Sequence, residues 1–322
     1  MLFLEGEATW KMKYCFIINP VSGRDRTRKE FLDNLQNLQV EYQVYETKCS
    51  GDAQNIAREI CRQTAEDGEK VRIFACGGDG TVSQVINGAY GFDNVEIGAV
   101  PLGTGNDFIR NFGTVESFID IARCIDSPSR ECDLIRYSAC VEAGSREGFC
   151  MNMFNIGLDC NIVELTESIK KLPLIKGPLA YMVSVFVNLI KRKGANLRVS
   201  FDDGFVHAGK LMLISIANGC YCGGGIKGLP KAVTDDGYFD VSLIDYVTRR
   251  DFIQLFPLYA KGVHLDSPKV IAKDIISYRH EKSLKIEALD RSLKLCVDGE
   301  IFECSSVDFG IIDKGFRFIV PA

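Results

Sequence analysis

The segment Ala75-Cys-Gly-Gly-Asp-Gly-Thr-Val-Ser-Gln-Val-Ile-Asn-Gly-Ala-Tyr90 sets three glycines and one aspartate between an apolar run and an amphipathic stretch. Val71 to Cys76 reads as a short buried strand, while Val82, Val85, Ile86 and Ala89 recur at helical spacing. A strand must therefore pass into a helix within a few residues, and the spacing predicts that helix to start near Thr81. Gly77, Gly78 and Gly80 lack a Cβ, so the backbone there can bend sharply and bring its amide groups against a ligand. The unpaired N–H groups and positive dipole end of the helix would face an anion admitted by the turn. Asp79 could hold the magnesium ion that accompanies a nucleotide. Alone, the segment also reads as an ordinary glycine-rich strand-to-helix turn.

Two further turns share its character. Glu96 to Pro101 reads as a strand, followed by Leu102-Gly-Thr-Gly-Asn-Asp-Phe108 with two glycines, a hydroxyl, an amide and a carboxylate. Earlier, the strand Tyr14 to Ile18 runs into Asn19-Pro-Val-Ser-Gly-Arg24, where Pro20 fixes the turn and Gly23 relieves it. In an open parallel sheet, ligands sit outside the carboxyl ends of the strands. One nucleotide could touch all three turns.

The surrounding pattern supports such a sheet. Phe31, Leu32, Leu35 and Leu38 mark one helix, Tyr42 to Glu46 a strand, and Ala53, Ile56, Ala57, Ile60 and Cys61 a second helix, a βαβα rhythm that indicates a parallel sheet covered by helices. From about Asp133 the texture becomes β-rich: Leu197 to Phe201, Phe205 to Ile216, Phe239 to Ile244, Leu284 to Ala288 and Leu293 to Val297 read as strands. An antiparallel sandwich is expected there. The expected division is 1–132 with 307–322 as the α/β nucleotide-binding domain and 133–306 as the sandwich.

Taken together, Asn19-Pro-x-Ser-Gly, Gly77-Gly-Asp-Gly-Thr and Gly103-Thr-Gly-Asn-Asp resemble the diacylglycerol kinase catalytic-domain family, in its soluble bacterial lipid-kinase branch. Leu229-Pro-Lys-Ala232, Asp236-Gly-Tyr-Phe-Asp-Val241 and Asp298-Gly-Glu300 fit the same pattern further on, so the resemblance covers the chain after Met12. Gly-Gly-Asp-Gly-Thr alone is shared with NAD kinases; the full set carries the specificity. The resemblance implies an α/β plus β architecture, with a parallel-sheet nucleotide-binding domain and a C-terminal β-sandwich. It implies a kinase that uses ATP and Mg2+ on a lipid, diacylglycerol first, with a sphingoid base, phosphatidylglycerol or NAD as alternative acceptors. A non-catalytic nucleotide- or lipid-binding regulator on the same scaffold is a further alternative.

Carried over by position, Asn19, Pro20, Val21, Ser22, Gly23, Thr47, Gly78, Asp79, Gly80, Thr81, Val82, Ser83, Gln84, Thr104 and Asn106 match the family's ATP contacts. Asp79, Asp107 and Asp133 match the carboxylates that organise the catalytic magnesium. Glu300 looks like the proton acceptor, with Asp298 alongside, although Asp-Gly between strand-like runs is also a hairpin signal. Val233, Asp236 and Tyr238 match a structural magnesium site. Arg24 and Arg110 are candidate phosphate partners by charge and position. After Gly-Gly-Asp-Gly-Thr-x the family carries Asn-Glu, whereas this chain has Ser83-Gln84, which can still hydrogen-bond but lacks the negative charge.

Composition narrows the alternatives. The chain has 322 residues and a net charge of −5, which argues against a general nucleic-acid binder. Its cysteine count of 13 is odd, there is no C-x-x-C pair, and reduced thiols in a cytoplasmic setting are expected. No stretch reaches the roughly 20 apolar residues that span a bilayer, and the start lacks the pattern of a secretion signal, with Met12 as an alternative beginning. Leu179 to Ile190, flanked by Lys170, Lys171, Lys176 and Lys191-Arg-Lys193, reads as a packed helix or as an apolar helix that receives lipid at the inner face of the membrane. A homodimer is allowed. Asp308-Phe-Gly310 lacks the companion motifs of a protein kinase, and neither a P-loop nor a Rossmann glycine fingerprint is present. His207, His264 and His280 carry no motif around them and are assigned no chemistry.

Overall fold

The parallel strands of the first third form because their apolar residues alternate between two covered faces. The computed structural model describes residues 12–23, 25–157 and 194–321. Arg24, the helix expected over Leu179 to Ile190 and its lysine flanks lie outside the described residues. The chain begins β1 (Met12–Ile18), α1 (Asp25–Gln36), β2 (Gln43–Glu46), α2 (Asp52–Glu66), β3 (Lys70–Gly77), α3 (Asp79–Ala89) and β4 (Val95–Pro101). These strands run parallel in the order β2-β1-β3-β4. In β3, Ile73 and Ala75 pack beneath α2 and α3, whereas Phe74 and Cys76 face Phe31 and Leu35 of α1. Burial on both faces is why these strands read as continuous apolar runs. Two short helices, α4 (Val115–Ile119) and α5 (Ile121–Ile125), lead into the β-rich part.

That part holds β5 (Ser129–Val141), β6 (Gly144–Cys150), β7 (Met153–Gly157), β8 (Ala195–Phe201), β9 (Val206–Leu211), β10 (Leu213–Ala217) and β11 (Phe239–Ile244). The helices α6 (Arg249–Ala260) and α7 (Pro268–Ile271) follow, and then β12 (Ile276–Glu281), β13 (Ser283–Ala288), β14 (Leu293–Val297), β15 (Glu300–Cys304) and β16 (Ser306–Ile319). A six-stranded antiparallel sheet in the order β12-β11-β10-β7-β14-β15 stacks on β5, β8, β13 and the first half of β16, with Phe154, Ile156, Ile214, Val241, Ile286 and Phe309 in the shared core.

The expected sandwich is present, and one of its two sheets is continuous with the parallel sheet. β16 pairs antiparallel with β5 along most of its length, is interrupted between Ile312 and Phe316, and then lies parallel to β4, with Phe318 beside Ile97. The last residues of β16 thus join the first sheet. The expected divisions at 132/133 and 306/307 both fall inside paired strands, β5 and at the start of β16.

Several segment boundaries differ from expectation, three of them instructively. α3 starts at Asp79, two residues before Thr81, because Gly78 in an extended conformation (φ −98°) serves as its N-cap. β2 begins at Gln43 instead of Tyr42. The run Phe205 to Ile216 is two strands in different sheets: the chain switches at Met212, whose N–H bonds Ile244 O at 2.9 Å.

Gly88 carries the contact between α2 and α3. A Cβ there would stand 2.2 Å from the Gln54 carbonyl oxygen, which belongs to helix backbone and cannot swing aside. Gly88→Ala should destabilise the protein by about 1–3 kcal/mol, the usual cost of overpacking, measured as a lower urea midpoint with an unchanged m-value.

Candidate active site

The three glycine-bearing turns meet at one edge of the parallel sheet. Cys76 pairs with both Ile18 and Val100, so β1, β3 and β4 end side by side. Asn19 N–H donates to Cys76 O at 2.9 Å, and Leu102 and Gly103 N–H both donate to Gly77 O at 2.9 and 3.1 Å. Thr47, just past β2, donates its N–H to Ile18 O at 3.0 Å. The turns touch backbone to backbone: a Cβ on Gly103 would lie 2.4 Å from Gly78 Cα, and one on Gly23 (φ +88°) 2.7 Å from Leu102 O. Asn19 Nδ2 donates to Thr81 Oγ1 at 3.4 Å, linking the first turn to α3.

Asn19 to Gly23, Thr47, Gly78 to Gln84, Thr104 and Asn106 are thus gathered around one edge, with different exposures. Val21 is 89% exposed, whereas Thr81 and Val82 are buried. Val82 packs in the core beneath α3, so only its backbone is available to a ligand. Asn106 adopts φ +51° and its Nδ2 donates to Gly103 O at 2.8 Å, which shapes the second turn. Ser83 stands close enough to the Asp298 carboxylate to lower its pKa, and Gln84 Oε1 accepts from Gly51 N–H at 3.2 Å. Both residues that depart from the family pattern therefore have structural partners.

Asp79 and Asp107 face each other across Gly105. Asp79 Oδ1 accepts from the N–H groups of Asp107 (2.8 Å) and Phe108 (3.1 Å). Asp107 accepts from Gly224 N–H at 2.9 Å and Gly225 N–H at 2.7 Å, with Arg110 Nε 3.7 Å away. The position of an absent Gly105 Cβ lies 3.0 Å from Asp79 Oδ2 and 3.4 Å from Asp107 Oδ2. Burial pushes the Asp79 carboxyl up, opposed by backbone N–H bonds. Burial and then the charge of Asp79 push Asp107 up to about 6, opposed by Gly224, Gly225 and Arg110. Two close, desolvated carboxylates with hard oxygen donors suit a divalent cation, which would offset their mutual repulsion.

The other expected carboxylates are held separately. Asp133 is fully buried; Oδ1 accepts from Lys314 N–H (2.8 Å) and Oδ2 from Gly237 N–H (2.7 Å). Burial raises its pKa, those two bonds lower it, and neighbouring Asp313 raises it again. Its partners are thus distinct from those of Asp79 and Asp107, and it stands beside the Asp236 turn. Asp236 Oδ1 accepts from Tyr238 N–H at 3.1 Å, and His280 Nε2 lies 3.4 Å from Oδ2. Val233 is half exposed. Among the described residues no group of three or more His, Cys, Asp or Glu is arranged to hold a metal ion. A cation at either place would need backbone, water or phosphate oxygens as well.

Asp298 and Gly299 form the two-residue hairpin between β14 and β15, with φ +45° and +96° and Val297 paired to Glu300. Positive φ at both positions matches a type I′ turn. The Asp298 carboxylate is buried and accepts from Met151, Asn152 and Met153 N–H at 3.2–3.3 Å and from Cys150 Sγ at 3.1 Å. These bonds pin the hairpin to the β6–β7 turn. Burial raises its pKa. Glu300 opens β15 half exposed, with Oε2 3.1 Å from Arg146 Nη2, and Arg146 stacks over Phe302.

Sequence reasoning overlooked Gly223 to Gly225, whose φ values of +60°, +83° and +110° aim two N–H groups at Asp107. The signal was present as three successive glycines. It also overlooked Asn111, whose Oδ1 accepts from Cys220 N–H at 2.8 Å, and Asn218, whose Nδ2 donates to Asp133 O at 2.8 Å.

Comparison with known proteins decides among families of this architecture. Residues 13–137 match the diacylglycerol kinase catalytic domain, and residues 152–313 match the YegS C-terminal NAD kinase beta sandwich-like domain. The chain belongs to the diacylglycerol kinase catalytic-domain family. It is a kinase of the lipid and NAD kinase type. It is 27% identical over 310 residues to a diacylglycerol kinase of Bacillus subtilis, covering 95% of each chain. A diacylglycerol kinase of Staphylococcus epidermidis is 29% identical over 316 residues, covering 95% of this chain and 91% of the relative. The fold matches a crystal structure of a diacylglycerol kinase from Bacillus anthracis with a TM-score of 0.67, 21% identity and 96% of each chain covered. Yeast NADH kinase complexed with NADH shares the fold more distantly, with a TM-score of 0.51 and 12% identity over 97% of this chain and 84% of its own.

Because the turns touch at Gly78 and Gly103, Gly103→Ala should force them apart. The expected result is a loss of about 100-fold in turnover, the scale of an ångström-sized misplacement, together with a loss of about 1–3 kcal/mol in stability from the overpacking.

Proposed function

We propose that this kinase transfers the γ-phosphoryl group of ATP, with magnesium, to a hydroxyl of a lipid, diacylglycerol first among acceptors. The observation that carries the lipid reading is an apolar cavity whose wall continues into the loop that holds Asp107. Leu213, Ile244, Phe252, Phe256 and Val270 line it between the outer face of the six-stranded sheet and α6. Cys222 forms part of the same wall. Immediately after Cys222 come the glycines that hold Asp107, so one loop borders both the apolar cavity and the acidic pair. A dinucleotide ribose would call for polar partners; this lining suits hydrocarbon. His264 is buried in the wall, and neither ring nitrogen has a hydrogen-bond partner among the described residues. Burial pushes its pKa down to about 4, so it is neutral at pH 7 and offers one donor and one acceptor to a lipid oxygen.

In this reading Asn19 to Gly23, Thr47, Gly78 to Gln84, Thr104 and Asn106 grip the nucleotide. Asp79 and Asp107 would hold the magnesium ion, with Asp133 ordering the adjoining turn. When bound, the ion supplies charge neutralisation around the phosphate oxygens. Glu300 takes the proton of the acceptor hydroxyl as its oxygen attacks the γ-phosphorus; the bond to the bridging oxygen breaks, and ADP leaves. Arg146 orients the Glu300 carboxylate, and Asp298 fixes the hairpin that carries it. Val233 and Tyr238 carbonyls with Asp236 would form a second, structural magnesium site.

Glu300→Gln should abolish turnover in single-turnover assays while ATP affinity stays close to wild type; a near-normal rate removes Glu300 from the role. The acceptor is tested with radiolabelled ATP against micelles of diacylglycerol, a sphingoid base and phosphatidylglycerol, with NAD alongside. Labelled phosphatidic acid is expected. Transfer to NAD alone would overturn the lipid reading, and ATP binding without transfer would favour a regulator.

A further inference from the structure

The surface over the apolar cavity is unusual for an acidic chain. α6 turns Phe252, Leu255, Phe256 and Tyr259, at positions i, i+3, i+4 and i+7, toward the cavity. Its outer side is not simply polar. Ile253 is 59% exposed, Val263 in the next turn 47%, and Ile271 at the end of α7 62%, and none of the three lines the cavity. Lys273 Nζ lies 2.9 Å from Asp251 Oδ1, tying the turn after α7 to the first turn of α6, so these aliphatic side chains stand on neighbouring elements.

Charge is distributed to match. Between Arg249 and Asp274 the sequence has five Lys or Arg and three Asp, in a chain whose net charge is −5. Arg250, Lys261 and Lys269 are exposed and have no ion-pair partner among the described residues. Isolated aliphatic groups set among free cations match the interface of an anionic bilayer, where the former enter the acyl boundary and the latter meet phosphates. A twofold pairing of two copies through this face would instead bring each cationic patch against itself.

We propose that the α6–α7 face is the surface by which this chain sits on an anionic lipid bilayer, with Ile253, Val263 and Ile271 entering the interface and Arg250, Lys261 and Lys269 meeting lipid phosphates. The cavity beneath α6 then faces its acceptor's source. In that last respect the proposal rests on the lipid-kinase reading.

The test is flotation with vesicles of phosphatidylglycerol and phosphatidylcholine, compared with phosphatidylcholine alone. Wild type should float with the anionic vesicles and less so as salt is raised. Arg250→Glu with Lys269→Glu should lower the partition coefficient by about fivefold or more per replaced cation, and Ile253→Asp with Ile271→Asp should reduce it comparably. Both variants should keep wild-type ATP affinity and activity on a water-dispersed short-chain diacylglycerol, since none of the four side chains lines the cavity or touches the turns. Flotation of the variants equal to wild type overturns the proposal, as does failure of wild type to bind. A wild-type dimer in light scattering that Ile253→Asp with Ile271→Asp splits would assign the face to a second copy instead. Selective flotation without phosphorylation of any lipid would support the docking face while overturning the kinase acceptor.

Discussion

Buried carboxylates clasping backbone N–H groups hold this structure together around its site. Asp79 grips the turn at Asp107 and Phe108; Asp107 grips Gly224 and Gly225; Asp133 grips Gly237 and Lys314; Asp298 grips the turn from Met151 to Met153. In each case a side chain on one segment fixes the backbone of another. Desolvation makes such a charge costly, which is why all four carboxyls are pushed up. Charge-assisted hydrogen bonds, each contributing about 1.5–3 kcal/mol, offset much of that cost. The same groups thus shape the crevice and supply its negative charge.

Local pattern made a large part of this legible. Alternation in β3 and spacing in α2 identify the elements because their burial is set by immediate neighbours, and the glycine turns declare themselves because no other residue allows Gly78 and Gly103 to meet. What local pattern misses depends on distant partners. The start of α3 is hidden because its first residues, Asp79 and Gly80, carry no apolar signal, the capping being done by Gly78. The switch at Met212 is hidden because strands on either side have apolar inner faces, and only the bond to Ile244 shows that they belong to different sheets. The role of Gly223 to Gly225 becomes visible only when Asp107 is placed against them.

Ser83 and Gln84 illustrate how a departure from a family pattern can be absorbed. Ser83 stands beside Asp298 and Gln84 accepts from Gly51, so neighbouring faces of α3 meet the hairpin of the sandwich and the start of α2.

The route of β16 has a consequence for synthesis. β4 has β3 on one side and β16 on the other, and β16 is translated long after the parallel strands have left the ribosome. Until then one border of the first sheet presents unpaired amide and carbonyl groups, the kind of edge that invites aberrant association. The nascent chain must keep that border shielded, and its final closure awaits the arrival of Phe316 and Phe318 against Phe108, just past the second glycine turn.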